Sequence, residues 1–229
     1  MTMKKFIGTI SAALAATALT ASAGVDVDIV SAYVFRGATE NDNVAVQPGF
    51  ETEILGGLAT VGTWASFDTD ASAFEEVDFY LIVPLPVGDS SPISADLVYT
   101  EYTFPGSEGD ADRELGLEFG TEVAGLDLGL GFFYGVDGGI DGNLYIGLTV
   151  GHELALAENL ALDLGAELGY LNPDEGESGF SHLTLSAALG LVIPEIEFPV
   201  SLGVSYVIET DSDVLKVDED LFFTLGFSL

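Results

Sequence analysis

Carboxylate side chains recur at alternate positions along several stretches of this sequence. Glu118 and Glu122 alternate with apolar residues in one stretch, and Asp163 and Glu167 do so in another. Rings of acidic side chains around a water-filled passage favour cations and repel anions. These residues therefore have the chemistry of a cation-preferring pore wall, provided that the backbone places them on one face.

A larger set of charged residues shares this alternating phase. We expect the following side chains to line a lumen and to influence its selectivity: Arg36, Glu51, Glu53, Asp78, Glu114, Glu118, Glu122, Asp127, Asp163 and Glu167. Asp26, Asp28 and Asp96 lie in the same phase. The alternative interpretation is that a water-filled lumen simply tolerates acids, in a protein that is acidic for reasons of its salt environment.

Arg36 is a rare basic residue among these acids. It shares its predicted face with Asp26 and Asp28, so we expect it to point into the lumen and to meet Glu51 or Glu53 on the neighbouring strand. Two roles remain open for it. It could form a structural ion pair at the rim, or it could set the selectivity of a constriction.

The sequence gives little support to enzyme chemistry. Ser181 and His182 are adjacent, but neighbouring residues of a strand point to opposite faces, so we expect no activation of Ser181 by His182. The segments 137–143, 209–213 and 218–220 are rich in oxygen ligands, but none has the spacing of an EF-hand. We therefore expect no catalytic residue, no metal site and no cofactor, while loose binding of divalent cations by the loops remains open.

The N-terminus has the three parts of a secretory signal peptide. Lys4 and Lys5 precede an apolar stretch, and Ala21-Ser22-Ala23 follows it. The apolar part is too short for a spanning helix, so an N-terminal membrane anchor is the weaker interpretation. We predict that residues 1–23 are removed and that residues 24–229 form a single domain.

The remaining chain is both acidic and apolar. The whole sequence has a formal net charge of −33, with 38 acidic and five basic residues, yet it is 48% hydrophobic. Such a charge excludes nucleic acid as a partner. The hydrophobic content excludes an acidic disordered protein. With no cysteine, an exported chain cannot use disulfides.

Alternation with a period of two dominates the domain. In 115–123, for example, Leu115, Leu117 and Phe119 alternate with Gly116 and Glu118. This pattern indicates β-strands. It predicts twelve of them, near 24–36, 44–54, 58–68, 75–85, 92–104, 112–123, 126–136, 143–155, 159–171, 181–193, 197–208 and 219–229. Short and long connections alternate along the chain, as in outer-membrane barrels.

The composition of the two strand faces distinguishes a membrane barrel from a soluble sandwich. One face is Leu, Val, Ile and Phe, whereas the other is mostly Gly, Ser, Thr, Ala, Asp and Glu. Small and acidic residues cover an outer surface poorly but leave room inside a lumen. Because an open sheet edge in lipid would leave backbone groups unpaired, the sheet must close. We predict an all-β fold, a closed antiparallel up-and-down transmembrane β-barrel of about 12 strands.

Aromatic residues are expected near the rims of this barrel. We predict an outward aromatic girdle at Tyr33, Phe35, Tyr134, Tyr170, Tyr206 and Phe223. The last strand alternates aromatic and apolar residues, which resembles the recognition element of outer-membrane insertion machinery. That element comprises Leu221, Phe223, Leu225, Phe227 and Leu229, although such signals more often end on Phe.

One segment carries a more specific resemblance. Tyr33-Val34-Phe35-Arg36-Gly37, followed by Val46-Gln47-Pro48, resembles the start of the TorF-type porin family, bacterial outer-membrane β-barrels whose biochemical function is unassigned. The resemblance covers roughly the first two strands. It implies an outer-membrane location and a transport role, and it supplies no substrate and no catalytic residues.

These observations lead to one preferred function and two alternatives. We expect a small porin for cations or neutral solutes, located in the outer membrane, with outer-membrane lipid, the barrel-insertion machinery and small solutes as partners. The first alternative is a non-conducting barrel that acts through its acidic loops. The second is a secreted soluble β-protein.

Overall fold

Alternation of large apolar residues with small or acidic ones produces extended strands along nearly the whole described chain. The computed structural model describes residues 23–88, 91–107, 109–193, 196 and 198–228. Within these ranges the strands are β1 (Gly24–Val30), β2 (Tyr33–Phe35), β3 (Ala38–Asn41), β4 (Ala45–Ile54), β5 (Ala59–Asp68), β6 (Ala73–Pro84), β7 (Ile93–Thr103), β8 (Asp112–Val123), β9 (Leu126–Asp137), β10 (Leu144–Ala157), β11 (Leu160–Asn172), β12 (Gly179–Ile193), β13 (Phe198–Glu209) and β14 (Leu221–Ser228). A 3₁₀ turn, Gly138–Ile140, follows β9.

Twelve of these strands form one closed barrel. From β4 to β14 each strand pairs antiparallel with its sequence neighbour, and β1 closes the sheet between β14 and β4. Val27 lies opposite Phe227 on one side and Pro48 on the other. The prediction of a closed antiparallel barrel of about 12 strands is confirmed.

The two faces of the wall differ as the alternation predicts. Leu115 is 44% exposed on the outside, whereas its neighbour Glu114 is buried inside at 4%. Leu148 and Leu202 are likewise exposed outward. The barrel therefore presents an apolar outer surface and encloses polar and acidic side chains. No helix in the described ranges is both long and apolar enough to cross a bilayer.

The connections alternate in length. At one end of the barrel, neighbouring strands are joined by tight turns such as Ala124-Gly125, where both residues have positive φ, 56° and 81°. Such a two-residue turn matches the twist of a β-hairpin. The long connections, including 173–178 and 210–220, lie at the opposite end.

The first long connection does not lie outside the barrel. The predicted strand 24–36 ends at Val30, where the Ser31 N–H donates to the Phe223 carbonyl at 3.0 Å and the Phe223 N–H donates to Ser31 Oγ at 2.9 Å. Residues 31–44 then turn into the bore as a short hairpin of β2 and β3, here called the first-loop hairpin.

The turn of this hairpin is specified by Arg36-Gly37. The φ angles of 49° and 81° are those of a two-residue hairpin turn, which needs positive φ at both positions. A Cβ at residue 37 would also overlap the His182 ring. Glycine is therefore required at this position both by its backbone conformation and by the wall it touches.

The first-loop hairpin packs against opposite sides of the bore. Ala32 and Val34 form a buried cluster with Val207 of β13 and Phe222 of β14, and Val217 packs against that cluster. In the last long loop, the Glu219 N–H donates to Thr39 Oγ1 at 3.0 Å. The hairpin thus lies across the lumen at the long-loop end.

Two residues of the predicted girdle belong to this hairpin instead. Tyr33 is buried at 5% exposure, and Phe35 packs edge-on against Tyr102 with 5.9 Å between ring centroids. Their assignment to an outward girdle is wrong. The chain leaves the wall at Ser31, so the phase of β1 no longer determines where later side chains point.

Candidate functional site

Arg36 occupies the tip of the first-loop hairpin and binds the far wall of the barrel. Its Nη1 donates to Glu114 Oε2 at 2.7 Å, and its Nη2 donates to Glu114 Oε1 at 2.8 Å. The Tyr102 hydroxyl donates to the same carboxylate at 3.0 Å. This two-pronged geometry is the strong form of an arginine–carboxylate pair.

The partner of Arg36 differs from the sequence-based expectation. We predicted Glu51 or Glu53 on the neighbouring strand, and the observed partner is Glu114 of β8. The difference follows from the hairpin, which carries Arg36 across the bore instead of leaving it beside β4. The prediction that Arg36 points into the lumen agrees with its position.

Aromatic rings surround the guanidinium. Its central carbon lies 4.7 Å from the ring centroid of Phe35 and 4.5 Å from those of Phe133 and Tyr145. These distances are typical of cation–π contacts. Burial alone would lower the pKa of Arg36, but the hydrogen bonds and the charge of Glu114 raise it above its usual value. Arg36 is therefore a permanent cation.

A second set of contacts anchors the hairpin to β5 and β6. The Tyr33 hydroxyl donates to Glu76 Oε2 at 2.9 Å, and its ring lies 5.3 Å from Trp64, centroid to centroid. Asn41 Nδ2 donates to the carboxylate of Glu75. Together with Arg36, these contacts hold the hairpin at both sides of the bore.

Ser181 and His182 lie under the hairpin turn. We predicted that they point to opposite faces, and this is wrong, because Gly169 pairs with His182 and Tyr170 pairs with Phe180. Ser181 is the extra residue of a β-bulge, which turns both side chains to one side. Ser181 Oγ lies 3.1 Å from His182 Nδ1, and both residues are buried at 1% exposure or less. A substrate cannot reach either group in this conformation.

Toward the short-turn end, acidic side chains line the bore. Glu51 accepts a hydrogen bond from the Tyr80 hydroxyl at 3.3 Å. Asp96 and Glu118 lie directly opposite each other on β7 and β8. This pairing places two carboxyl groups close together on the wall.

Further acids continue this wall around the barrel. Asp163 lies opposite Glu153 on the neighbouring strand, and Glu167 accepts a hydrogen bond from the Tyr145 hydroxyl at 2.6 Å. Asp78 is buried on β6. Glu53, Glu122 and Asp127 lie on β4, β8 and β9 near the short turns. The structure thus brings Arg36, Glu114 and Glu167 together, while the other predicted residues are distributed along the wall.

Several carboxylate oxygens of this wall have no hydrogen-bond partner in the described part of the chain. They are Asp78 Oδ1, Glu118 Oε2 and Asp163 Oδ2. No group of three or more acidic or histidine side chains among the described residues has the arrangement of a metal site.

Aromatic side chains line the bore, and none of them was among the predicted site residues. Trp64, Tyr102, Phe133 and Tyr145 all contact the first-loop hairpin. For Phe133 the sequence did hold a signal of an inward orientation. Phe133 alternates with the outward Tyr134 and shares its face with Gly131 and Gly135. The remaining girdle residues, Tyr134, Tyr206 and Phe223, are exposed on the outside, and Tyr170 packs edge-on against the exposed Phe180.

Two predicted segments lie partly outside the described residues. The signal peptide covers 1–23, of which residues 1–22 are not described, and the C-terminal recognition element includes Leu229, which is also not described. Leu221 and Phe223 of that element are exposed outward, and Phe227 packs near Phe198 with 6.1 Å between centroids.

Two solved structures with a similar fold are porins. The NanC porin shares 8% sequence identity with this chain and has a TM-score of 0.55, and the alignment covers 91% of this chain and 99% of NanC. The KdgM porin, solved in complex with disordered oligogalacturonate, also shares 8% identity, with a TM-score of 0.56 and coverage of 90% and 97%. At such low identity the similarity establishes the fold alone.

Sequence comparison assigns the family. No curated protein sequence matches this chain. The family described as "Bacterial protein of unknown function (Gcw_chp)" matches residues 12–220. Because that match covers most of the sequence, the chain belongs to the Gcw_chp family of bacterial proteins.

Proposed function

We propose that this protein is an outer-membrane barrel that conducts small cations or neutral solutes through an acidic lumen. The observation that carries the proposal is the charge of the inner wall. Paired carboxylates such as Asp96 and Glu118 face the bore, and Arg36 is already neutralised by Glu114. A wall of this kind attracts cations and repels anions.

The outer surface supports a membrane location. Leu148, Leu202 and Phe223 are all more than half exposed. Leaving one such side chain in water costs about 1.5–3 kcal/mol relative to burial, and the whole apolar belt repeats that cost around the barrel. Hydrocarbon removes this penalty, and a closed barrel leaves no unpaired strand edge in it. These features disfavour a secreted soluble protein.

The charge of the lumen also separates this chain from KdgM. That porin was solved in complex with oligogalacturonate, which is an anionic oligosaccharide. Carboxylates of this wall, including Glu118 and Asp163, would repel such a solute. We therefore propose that the two barrels share their fold and differ in the solutes they admit.

The first-loop hairpin favours one alternative function. It lies across the bore and is held on both sides, by Glu114 and by Glu76. A barrel closed in this way could be non-conducting and act at the cell surface through acidic loops such as 210–220. Membership of the TorF-type family, recognition of the last strand by insertion machinery, and loose divalent-cation binding by the loops also remain proposals.

A reversal-potential measurement tests the proposed function. The purified protein is inserted into a planar bilayer between two KCl concentrations, and the sign of the reversal potential shows which ion permeates. We expect cation preference, and we expect Glu118→Gln combined with Asp163→Asn to weaken it. Glu175→Gln, in an exposed loop, is the matched control and leaves it unchanged. Anion preference, or channels with no response to the paired substitution, contradicts the proposal.

A further inference from the structure

Four side chains of the barrel wall surround the guanidinium group of Arg36. Glu114 of β8 is flanked by Phe133 of β9 and Tyr145 of β10, and the Tyr102 hydroxyl of β7 donates to it. These four residues are called the guanidinium pocket here. Arg36 fills the pocket with its side chain only 16% exposed, opposite a Glu114 side chain that is 5% exposed.

The shape of the pocket suits a guanidinium better than an ammonium group. Both oxygens of Glu114 accept from the two terminal nitrogens of Arg36, which requires a planar fork. The flanking rings lie 4.5 Å from the guanidinium carbon, and a flat, weakly hydrated cation stacks well on such rings. A compact ammonium group could form only part of this set of contacts.

All four residues of the pocket belong to the wall, and contacts within the wall hold two of them. Phe133 lies over Gly116 and Gly131, where a Cβ would collide with its ring. The Tyr145 hydroxyl is tied to Glu167 by a 2.6 Å hydrogen bond. The ladder between β8 and β9 fixes the backbone on which these side chains stand. These wall contacts do not involve the hairpin, so its departure would not remove them.

We infer that this pocket binds a small guanidinium-bearing solute, which competes with Arg36 for Glu114 and frees the tip of the first-loop hairpin from the wall. The inference rests on the proposed channel function, because release matters only if the barrel conducts. Arg36 is tethered next to the pocket, so a free competitor must overcome an effective concentration on the order of millimolar. Binding to the wild-type protein is therefore weak, and removal of Arg36 strengthens it.

The direct test is binding of 1-ethylguanidinium to the folded protein in detergent, measured by calorimetry. We expect saturable binding to Arg36→Ala that is stronger than binding to the wild type. In the double variant Arg36→Ala, Glu114→Gln, we expect binding to be weaker than in Arg36→Ala by at least about tenfold, because hydrogen bonds to a charged group are lost. Ethylammonium, which lacks the planar fork, should bind Arg36→Ala more weakly than 1-ethylguanidinium does.

A control variant and a second measurement, Trp64 emission, complete the binding test. Arg113→Ala removes the arginine of β8, whose partners Glu101 and Asp137 lie at the rim, and should behave as the wild type. If Arg36→Ala does not fold, as judged by heat-modifiable gel migration, the wild type is used. Trp64, the one tryptophan of the chain, contacts Tyr33 of the hairpin, so its emission should shift with 1-ethylguanidinium and not with ethylammonium.

Bilayer recordings separate failure of the inference from failure of the channel function. Cation-selective channels together with no binding to Arg36→Ala overturn the inference and leave the channel intact. Binding to Arg36→Ala with no current in any variant, even with 1-ethylguanidinium present, supports the pocket and overturns the channel. Binding, together with more current when 1-ethylguanidinium is added to the wild type, supports both.

Discussion

The pairing of Arg36 with Glu114 concentrates two opposite charges in a nearly dry part of the lumen. Taking both charges out of water is costly, and the pair is favourable only because its hydrogen bonds are made fully. Glu114 accepts from Arg36 and from Tyr102, so neither of its oxygens is left without a donor. Loss of either member of the pair leaves a buried charge without compensation.

Glu114→Gln should therefore release the hairpin from the wall. Breaking a buried ion pair costs about 3–5 kcal/mol, and moving Arg36 into water is the cheapest way to avoid that cost. We expect faster hydrogen exchange at backbone amides of residues 32–41 and altered emission from Trp64, which contacts Tyr33.

Glu101→Gln provides the control for that variant. Glu101 pairs with Arg113 at the rim, where both side chains are about one-third exposed. Pairs exposed to solvent contribute about 0–1 kcal/mol, so hairpin exchange should stay at the wild-type rate. Equal effects of the two substitutions would show that the Arg36 pair does not hold the hairpin.

The Ser181–His182 contact shows why adjacency in sequence is a poor guide at the residue scale. Regular alternation places neighbours on opposite faces, and that rule holds for most of β12. It fails where the bulge opposite Gly169 inserts one extra residue. The residue types around Ser181 do not predict such a bulge, so the contact between Ser181 and His182 could not be inferred from the sequence.

At the scale of elements, the first-loop hairpin is the largest departure from the sequence-based prediction. Tyr33 and Phe35 continue the alternation of Val27 and Ile29, so the pattern alone predicts one long strand. The missed signal is Arg36-Gly37, since a residue followed by glycine between two extended runs is typical of a two-residue hairpin turn. The wall residues that the hairpin contacts, such as Glu76 and Glu114, are distant in sequence and could not be inferred.

Gly37→Ala should disturb the hairpin more than its backbone conformation alone explains. A non-glycine residue in the left-handed region costs about 1–2 kcal/mol. At residue 37, where φ is 81°, the new Cβ would also overlap the His182 ring, which is fully buried and cannot move freely. We expect a shift in Trp64 emission and faster exchange of hairpin amides.

Gly106→Ala is the control, because it measures the cost of the backbone conformation without a steric clash. Gly106 has a φ of 94° and lies in a long loop, and its Cβ would meet no atom within 4 Å. It should cost only the conformational energy and leave the hairpin in place. If both alanines have the same small effect, the contact between Gly37 and His182 does not position the hairpin.

For the whole molecule, alternation predicted the barrel well because it follows directly from geometry. A wall with one apolar and one polar face must show a period of two, and closure follows from pairing every strand edge. The register of β1 between β4 and β14 agrees with this expectation. The alternation does not predict which segment fills the bore. Inward side chains pack against a loop, and the path of that loop depends on contacts between strands that are distant in sequence.

The orientation of the two faces can be tested with a neighbouring pair of lysine substitutions on β10. Leu148 is 54% exposed on the outside and lies between Leu130 and Leu168, whereas Thr149 points inward opposite Glu167. In lipid, Leu148→Lys should lower the free energy of unfolding by up to about 2–4 kcal/mol, depending on depth. Thr149→Lys should cost far less, since its ammonium group reaches water and Glu167. Urea titrations in lipid vesicles, monitored by Trp64 emission, measure both. If Thr149→Lys is the more damaging substitution, hydrocarbon does not contact the leucine face, and the proposed membrane location is wrong.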